Sequence, residues 1–383
     1  MARPRQPSAS PSPSSRRPQK GPGRKPRPPR QEEPADVEEE IDEDEEDAEA
    51  AGPTEVVAGR QIQLPAGPHR AGFVALIGRP NVGKSTLLNA LLGAKLAAIS
   101  PKPQTTRRRL RAIMSLKTAQ VVLVDTPGLF DGAVLPDGGT GGYGKLGTFM
   151  AREAKSALSD VDAVIFVVEP GPRNRPVTEV GAAEAAIAKL IRESRKPCIL
   201  AINKIDMVEK PLLLPLLDTW KETLPFAALV PISAEQREGL DRLVQEVVRV
   251  LPESPPLFPT STLTDATERE VVAEMIREKA MILTGEEVPY AIAVEVDRFD
   301  ESRREGRGKK PGIVEIDATI HVEREGQKAI VVGKGGTKVK EIGVRARGDV
   351  ERFLGCQVML RLYVKVSDRW TRSDRAMRGL GYG

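Results

Sequence analysis

A chain of 383 residues that is 40% apolar is long enough for two or three ordinary domain cores. Its two cysteines, Cys198 and Cys356, are too few for a disulfide framework or a zinc cluster, which points to a reducing compartment. The net charge of +4 sums unlike blocks: residues 1 to 30 carry nine Arg or Lys and no acid, residues 31 to 50 carry thirteen Asp or Glu, and the remainder carries +8.

In chain order, residues 1 to 70 are expected to be a disordered tail, basic and then acidic, because Pro, Ser, Arg and Glu cannot bury enough apolar surface to offset chain entropy. The acid-poor, Ser- and Arg-rich start also resembles an organelle transit peptide, but the proline density and the acidic block argue against an amphipathic targeting helix. No apolar run reaches the ~18 to 20 residues of a membrane helix. "VDAVIFVV" at 161 to 168 comes nearest. The expectation is a soluble, cytoplasmic protein, with peripheral attachment to the inner membrane left open.

From Phe73 onward, "FVALI", "VVLVD", "AVIFVV" and "CILAIN" are strand-length runs rich in Val and Ile, separated by helical segments. Strands buried on both faces are what a parallel sheet covered by helices requires. A doubly wound α/β domain is therefore expected over 71 to 251. The Pro-rich stretch "LPESPPLFPTSTLT" supplies a linker over 252 to 264, and a second domain follows over 265 to 383.

The stretch "VALIGRPNVGKSTLLNALLG" places G-x-x-x-x-G-K-S between a strand and a helix, the context a phosphate-binding P-loop needs. Gly78, Asn81, Val82, Gly83, Lys84, Ser85 and Thr86 form the cradle. Backbone amides converge on the phosphates, Lys84 reaches the β and γ oxygens, and the Ser85 hydroxyl can ligate Mg²⁺. In "VVLVDTPG", Asp125 ends a strand as the second Mg²⁺ anchor, and Gly128 can present its amide to the γ-phosphate. Upstream, "PQTTRRRL" offers Thr105 and Thr106, of which Thr106 is preferred as the residue that closes on Mg²⁺. The three arginines Arg107 to Arg109 also read as an exposed basic loop. Lys84, Asn81, Thr106 and Gly128 make up the expected catalytic set.

The base is named by "NKID", with Asn203, Lys204 and Asp206 assigned to it. A carboxylate at Asp206 can accept from both guanine N1–H and the exocyclic amine, a donor pair that adenine lacks. "SAE", beginning at Ser233, would bring the Ala234 amide to guanine O6.

Together, "GRPNVGKST", "QTTR", "DTPG", "NKID" and "SAE" resemble the Era family of translation-factor-related GTPases, over the chain from about residue 72 to its end. The resemblance implies a GTP-to-GDP switch whose second domain is an RNA-binding KH fold. It also implies that Asn81 matches the asparagine that helps hold a K⁺ ion beside the phosphates in relatives; a loop-stabilising Asn is the competing account. Leu129 follows "DTPG" where many GTPases have a water-orienting glutamine, so slow intrinsic turnover is expected. Asp131 to Gly147 is richer in Gly than the switch segment of the family and reads as a mobile loop.

After the linker the patterns run α-β-β-α-α-β, the order of a type II KH domain. Gly333, Lys334, Gly335 and Gly336 form a G-x-x-G turn that lets an RNA backbone approach at a helix start. Residues 265 to 383 hold 23 Lys or Arg against 21 acids, but six basic residues fall between Lys328 and Arg347. Of these, Lys334, Lys338 and Lys340 lie on or just after the turn. Aromatics are sparse, so hydrogen bonds and apolar contacts rather than stacking should carry base recognition. By resemblance, the groove takes the single-stranded 3′ end of small-subunit ribosomal RNA, and the partner is the assembling 30S-type subunit; the protein is expected to be a monomer.

The leading expectation is thus an α/β P-loop GTPase domain followed by an α+β type II KH domain, acting in subunit assembly. The alternatives are a GTP-regulated RNA-binding protein with negligible hydrolysis, and a P-loop enzyme acting on another substrate. "NKID" disfavours a kinase, and Cys356, just before a core-like strand, reads as a packed thiol rather than the catalytic cysteine of a tRNA-modifying relative.

Overall fold

The computed structural model describes residues 51–382 except 101, 103–104, 108, 129–151, 154, 172–179, 286–287, 289–290 and 307–310. Leu129 and the expected mobile loop at Asp131 to Gly147 lie outside the described residues.

The described chain opens on an antiparallel hairpin, β1 (Ala51–Val57) and β2 (Arg60–Pro65), turned at Ala58 and Gly59, both with positive φ. This corrects the expectation of a disordered tail reaching residue 70. Ile62 and Leu64 alternate with exposed residues and are buried in the main core. The buried Glu55 carboxylate accepts hydrogen bonds from the amides of Lys117 and Thr118, at 2.6 and 3.1 Å. Composition averaged over 70 residues hid a strand of only six, whose period-two alternation is the informative signal.

The first domain is built from β3 (Arg70–Ile77), α1 (Lys84–Leu92), β4 (Leu110–Ser115), β5 (Ala119–Asp125), β6 (Ala163–Val168), α2 (Ala182–Ser194), β7 (Cys198–Ile202), α3 (Leu213–Lys221), β8 (Ala228–Pro231) and α4 (Leu240–Val250). The sheet order is β4-β5-β3-β6-β7-β8. All neighbours are parallel except the β4–β5 pair. β4 follows the basic segment and was not apparent in the sequence. In β6, Ala163, Ile165 and Val167 join the core shared with α1, α4 and the hairpin, while Val164, Phe166 and Val168 join the opposite core with α2 and α3. Burial on both faces explains the unbroken apolar runs. Cys198 lies in the second core, where burial pushes its thiol up to about 12, so it packs as an inert apolar group.

Residues 252–264, the expected linker, run along the edge of the sheet. The Gln120 side chain accepts from the amides of Leu257 and Phe258 and donates to the Phe258 carbonyl, and the Ile113 amide donates to Leu263. The second domain comprises α5 (Glu268–Leu283), β9 (Ala293–Arg303), β10 (Ile313–Val322), α6 (Glu325–Val332), α7 (Thr337–Leu354) and β11 (Gln357–Val366). This is the α-β-β-α-α-β order expected, with sheet order β11-β10-β9 and β10 parallel to β11. A reciprocal capping box of Thr267 and Glu270 starts α5. The chain closes with α8 (Asp374–Gly379), beside which the buried Trp370 stacks on Tyr382 with ring centroids 5.5 Å apart. Among the described residues no helix is long and apolar enough to cross a membrane.

Candidate functional site

The loops that follow β3, β5, β7 and β8 all leave the carboxyl edge of the parallel sheet, where open α/β sheets place ligands. The P-loop wraps from β3 to the start of α1. There a Cβ on Gly78 would come within 2.3 Å of the Val167 carbonyl oxygen, and one on Gly83 within 2.3 Å of Asn203 Nδ2. Neither position has room for a side chain. Gly83 caps α1 with φ 98°, so the first amides of the helix face out of the loop. On the β5 side, a Cβ on Gly128 would lie 2.7 Å from the Pro80 nitrogen, bringing "DTPG" against the P-loop.

Lys84 is buried, and its ammonium donates to the carbonyls of Gly78 and Arg79 at 3.1 and 2.8 Å. Burial pulls its pKa down to about 8, against the opposing attraction of Asp125. Asp125, fully buried, has its carboxyl pushed up by desolvation, with Lys84 and the hydroxyls of Ser85 and Thr106 pulling the other way. Ser85 Oγ and Thr106 Oγ1 donate to Asp125 Oδ2 at 2.7 and 3.0 Å and lie 2.8 Å from each other. Asp125 Oδ1 is buried without a hydrogen-bond partner among the described residues. Thr105 instead turns its hydroxyl to the Lys102 carbonyl. Ser85, Thr106 and Asp125 are therefore gathered at one point beside an orphaned carboxylate oxygen. A cavity of about 260 Å³ is lined by Pro80, Asn81 and Gly83 to Thr86 of the P-loop and by Thr105, Thr106, Gly128 and Lys204, among others.

The base end is arranged differently from the sequence expectation. Asn203 is buried and bridges two loops, its Nδ2 donating to the Val82 carbonyl at 2.8 Å and its Oδ1 accepting from the Ala234 amide at 2.9 Å. The Ala234 amide, expected at guanine O6, is thus engaged by Asn203. Ser233 is likewise structural, its Oγ accepting from the Gln236 amide. Lys204 has φ 65° and sends its ammonium to the Asn81 carbonyl and Glu169. Asn81 itself has φ 65°, a conformation Asn tolerates better than most residues. Asp206 is half-buried in the short turn after β7.

Arg107 overturns the exposed basic loop. It is 1% exposed, and Arg109 pairs with Glu153 and Asp160. The second-domain residues that hold the GTPase domain here carried no motif: Arg277 donates to the Thr105 carbonyl, Glu278 accepts from the Ile99 amide, and Glu278 and Asp349 both accept from Lys95, at 2.6 and 2.7 Å. The nearest clue was several charged residues within otherwise apolar helix faces, such as "MIREK" in α5.

In the second domain, Gly333, Gly335 and Gly336 all have positive φ, at 69°, 60° and 80°. A Cβ on Gly333 would meet the Lys338 Cβ at 2.7 Å, so the turn packs tightly onto α7. Arg345 and Arg347 are paired with Glu341 and Glu351 one helical turn on or back, and Lys328 with Glu325. Lys334 and Lys340 are exposed and Lys338 half-buried, so the basic patch narrows to the turn itself.

Comparison with known proteins agrees with this arrangement. The family described as "50S ribosome-binding GTPase" matches residues 73–204, and the family described as "KH domain" matches residues 287–371. GTPase Era of Geobacter metallireducens is 43% identical over 82% of this chain and 98% of its own length. GTPase Era of Lacticaseibacillus paracasei is 42% identical over 82% of this chain and 97% of its own. Among solved structures, Era in complex with MgGDPNP and nucleotides 1506–1542 of 16S ribosomal RNA superposes with a TM-score of 0.73 at 39% identity, covering 82% of this chain and 99% of that one. An Aquifex aeolicus Era variant bound to GDP and AlF₄⁻ gives 0.72 at 40% identity, with the same coverage. With a P-loop cradle, a guanine-type "NKID" turn and a KH domain in one chain, the protein belongs to the GTPase Era family and is a GTPase that binds GTP and GDP.

Proposed function

We propose that this GTPase is a switch that binds the single-stranded 3′ end of small-subunit ribosomal RNA through its KH domain and acts during assembly of a 30S-type subunit. The observation that carries the reading is the gathering of Ser85, Thr106 and Asp125 beneath the P-loop in the same chain as an exposed G-x-x-G turn. The similarity to an Era bound to a 16S ribosomal RNA segment supports the choice of RNA.

A divalent cation suits the donor set. Asp125 Oδ1 is buried and orphaned, and two hydroxyls already crowd Oδ2. When bound, Mg²⁺ would neutralise the charge that develops on the β and γ phosphates. Ser85 and Asp125 would hold it, and Thr106 would close on it when GTP is present. Lys84 and the first amides of α1 hold the phosphates. The Gly128 amide would meet the γ-phosphate, and Asp206 would select guanine by accepting from two donors. Asn203 and Ala234 act one step back, tying the base loop to the P-loop.

Asn81 is read as a K⁺ ligand, which would replace the positive charge that other GTPases obtain from an arginine finger. Its φ of 65° equally suits a residue that shapes the loop. Single-turnover GTP hydrolysis in K⁺ and Na⁺ at equal ionic strength separates the two, and identical rates leave Asn81 as a loop residue. The protein is read as a cytoplasmic monomer that can also attach peripherally to the inner membrane. Sequencing RNA crosslinked to the GTP-bound protein tests the main reading. Enrichment of the small-subunit 3′ end is expected, and a profile without it would overturn the RNA assignment. Turnover that stays negligible with RNA bound would favour the GTP-regulated binding protein instead.

A further inference from the structure

Thr106 sits between two residues that are both anchored in the second domain. On one side, the Thr105 carbonyl accepts a hydrogen bond from the buried Arg277 guanidinium of α5, which is itself held by Glu274. On the other, the Arg107 side chain leaves the GTPase domain altogether. Its Nη1 donates to the Ile292 carbonyl at 2.6 Å, and its guanidinium lies 5.7 and 5.9 Å from the ring centroids of Trp370 and Tyr382. The guanidinium also donates to the Tyr382 hydroxyl oxygen. The aromatic pair is fixed in turn, because Trp370 Nε1 donates to the Ala291 carbonyl and Met377 packs beside both rings.

Burying a guanidinium is costly unless hydrogen bonds and opposing charge meet it. Arg107 meets them through the Ile292 carbonyl, the Glu274 carboxylate and the aromatic pair of the C-terminal segment that lies across it. Burial lowers its affinity for a proton, while Tyr382 and the Glu274 carboxylate raise it. A neighbouring cavity of about 280 Å³, lined by Thr106, Arg107, Asp125, Leu380 and Tyr382 among others, separates the metal-side carboxylate from the C-terminal segment. The Thr106 loop is therefore held by its two flanking anchors and by the Thr106 hydroxyl on Asp125, with a cavity rather than dense packing on its second-domain side.

We propose that Arg107, clamped by Trp370 and Tyr382 while Arg277 holds the Thr105 carbonyl, is the positioning residue for the Thr106 hydroxyl, so that the C-terminal segment sets how well the GTP-specific half of the site is formed. The inference rests on the reading of Thr106 as a ligand engaged only when the γ-phosphate is present. Without the clamp the loop keeps its covalent path but loses the placement of one hydroxyl. GTP should suffer and GDP should not.

The test uses the full chain and a fluorescent non-hydrolysable GTP analogue against fluorescent GDP at fixed Mg²⁺. Thr106→Ala should weaken the analogue about tenfold relative to GDP, as loss of one directed ligand predicts. Arg107→Ala and Tyr382→Ala should each reproduce that split, and Tyr382→Phe, which keeps the ring, should retain more of the analogue affinity than Tyr382→Ala. GDP affinity within about twofold of the parent reports a folded site in every variant. If Thr106→Ala shifts the ratio but Arg107→Ala and Tyr382→Ala do not, the clamp is wrong and the Thr106 reading stands. Equal losses for both nucleotides in the Arg107 and Tyr382 variants would also overturn it, because that is what general destabilisation produces. If Thr106→Ala leaves the ratio unchanged, the ligand reading falls and the clamp falls with it.

Discussion

The molecule carries two glycine-rich turns that each lead into a helix, and they are built in opposite ways. The P-loop is sunk between strands. Its lysine is buried, its glycines are pinned by Val167 and Asn203, and a carboxylate waits beneath. The Gly333–Gly336 turn stands in solvent, with exposed lysines at its tip and on the helix behind it. Both offer helix N-terminal amides to phosphate. Burial makes the first one strong and selective, since directed charges in a water-poor site act at low effective dielectric. Exposure makes the second permissive, so that a backbone can slide in and salt can screen it.

The contrast predicts effects of very different size. Lys84→Ala should be the most severe, lowering single-turnover GTP hydrolysis by roughly 10²-fold or more, as removal of a directed charge from a dry site does. RNA binding by the same variant should match that of the nucleotide-free parent, because the KH turn does not share the pocket. A filter-binding curve for RNA run beside the GTPase assay checks both halves, and joint loss would erase the distinction between the two turns.

Asp206→Asn comes next. An amide cannot accept from both guanine donors, so preference for guanine over adenine nucleotides should fall by about 10-fold or more, in line with ~1 to 3 kcal/mol for an unpaired polar group. Competition between GTP and ATP in a displacement titration measures it, and undiminished selectivity would remove Asp206 from the base site.

At the exposed turn, replacing both Lys334 and Lys338 with Ala should weaken RNA only modestly at physiological salt. The signature is in the slope of log affinity against log salt, which should shrink by about 0.7 for each cation removed from a single strand. An unaltered slope would mean these lysines do not meet the RNA backbone.

The smallest effect concerns protonation. The Lys84 ammonium titrates at about 8 in the folded protein against 10.5 ordinarily, so between those values the unfolded chain binds more protons. Stability of the nucleotide-free protein should therefore gain from Lys84 as pH rises from about 8 towards 10.5, and Lys84→Met should lack that gain. Phosphates favour the charged amine, so nucleotide affinity should run the other way and fall about fivefold between pH 8 and 9. Thermal melts and binding titrations across that range test the two opposite signs. A flat affinity profile would place the lysine outside the phosphate cradle.

What was legible in the sequence was whatever depends on local order. Phosphate cradles need glycines and a lysine at fixed spacing, and buried parallel strands need unbroken apolar runs, so β3, β5, β6, β7, the P-loop and the α-β-β-α-α-β order could be read directly. The β1–β2 hairpin was locally encoded as well, through the alternation at Ile62 and Leu64, but the composition of the surrounding tail masked it. Tertiary structure alone decided the partnerships of charged residues. Nothing adjacent to Arg107 distinguishes it from Arg109, yet one is buried under aromatic rings 263 to 275 residues away and the other pairs on the domain surface. Likewise the Ala234 amide was expected to read a base and is engaged by Asn203, because two loops from different strands meet there. Side-chain charge is a property of one residue, but burial, and with it the choice of partner, is set by residues brought together only when the two domains pack.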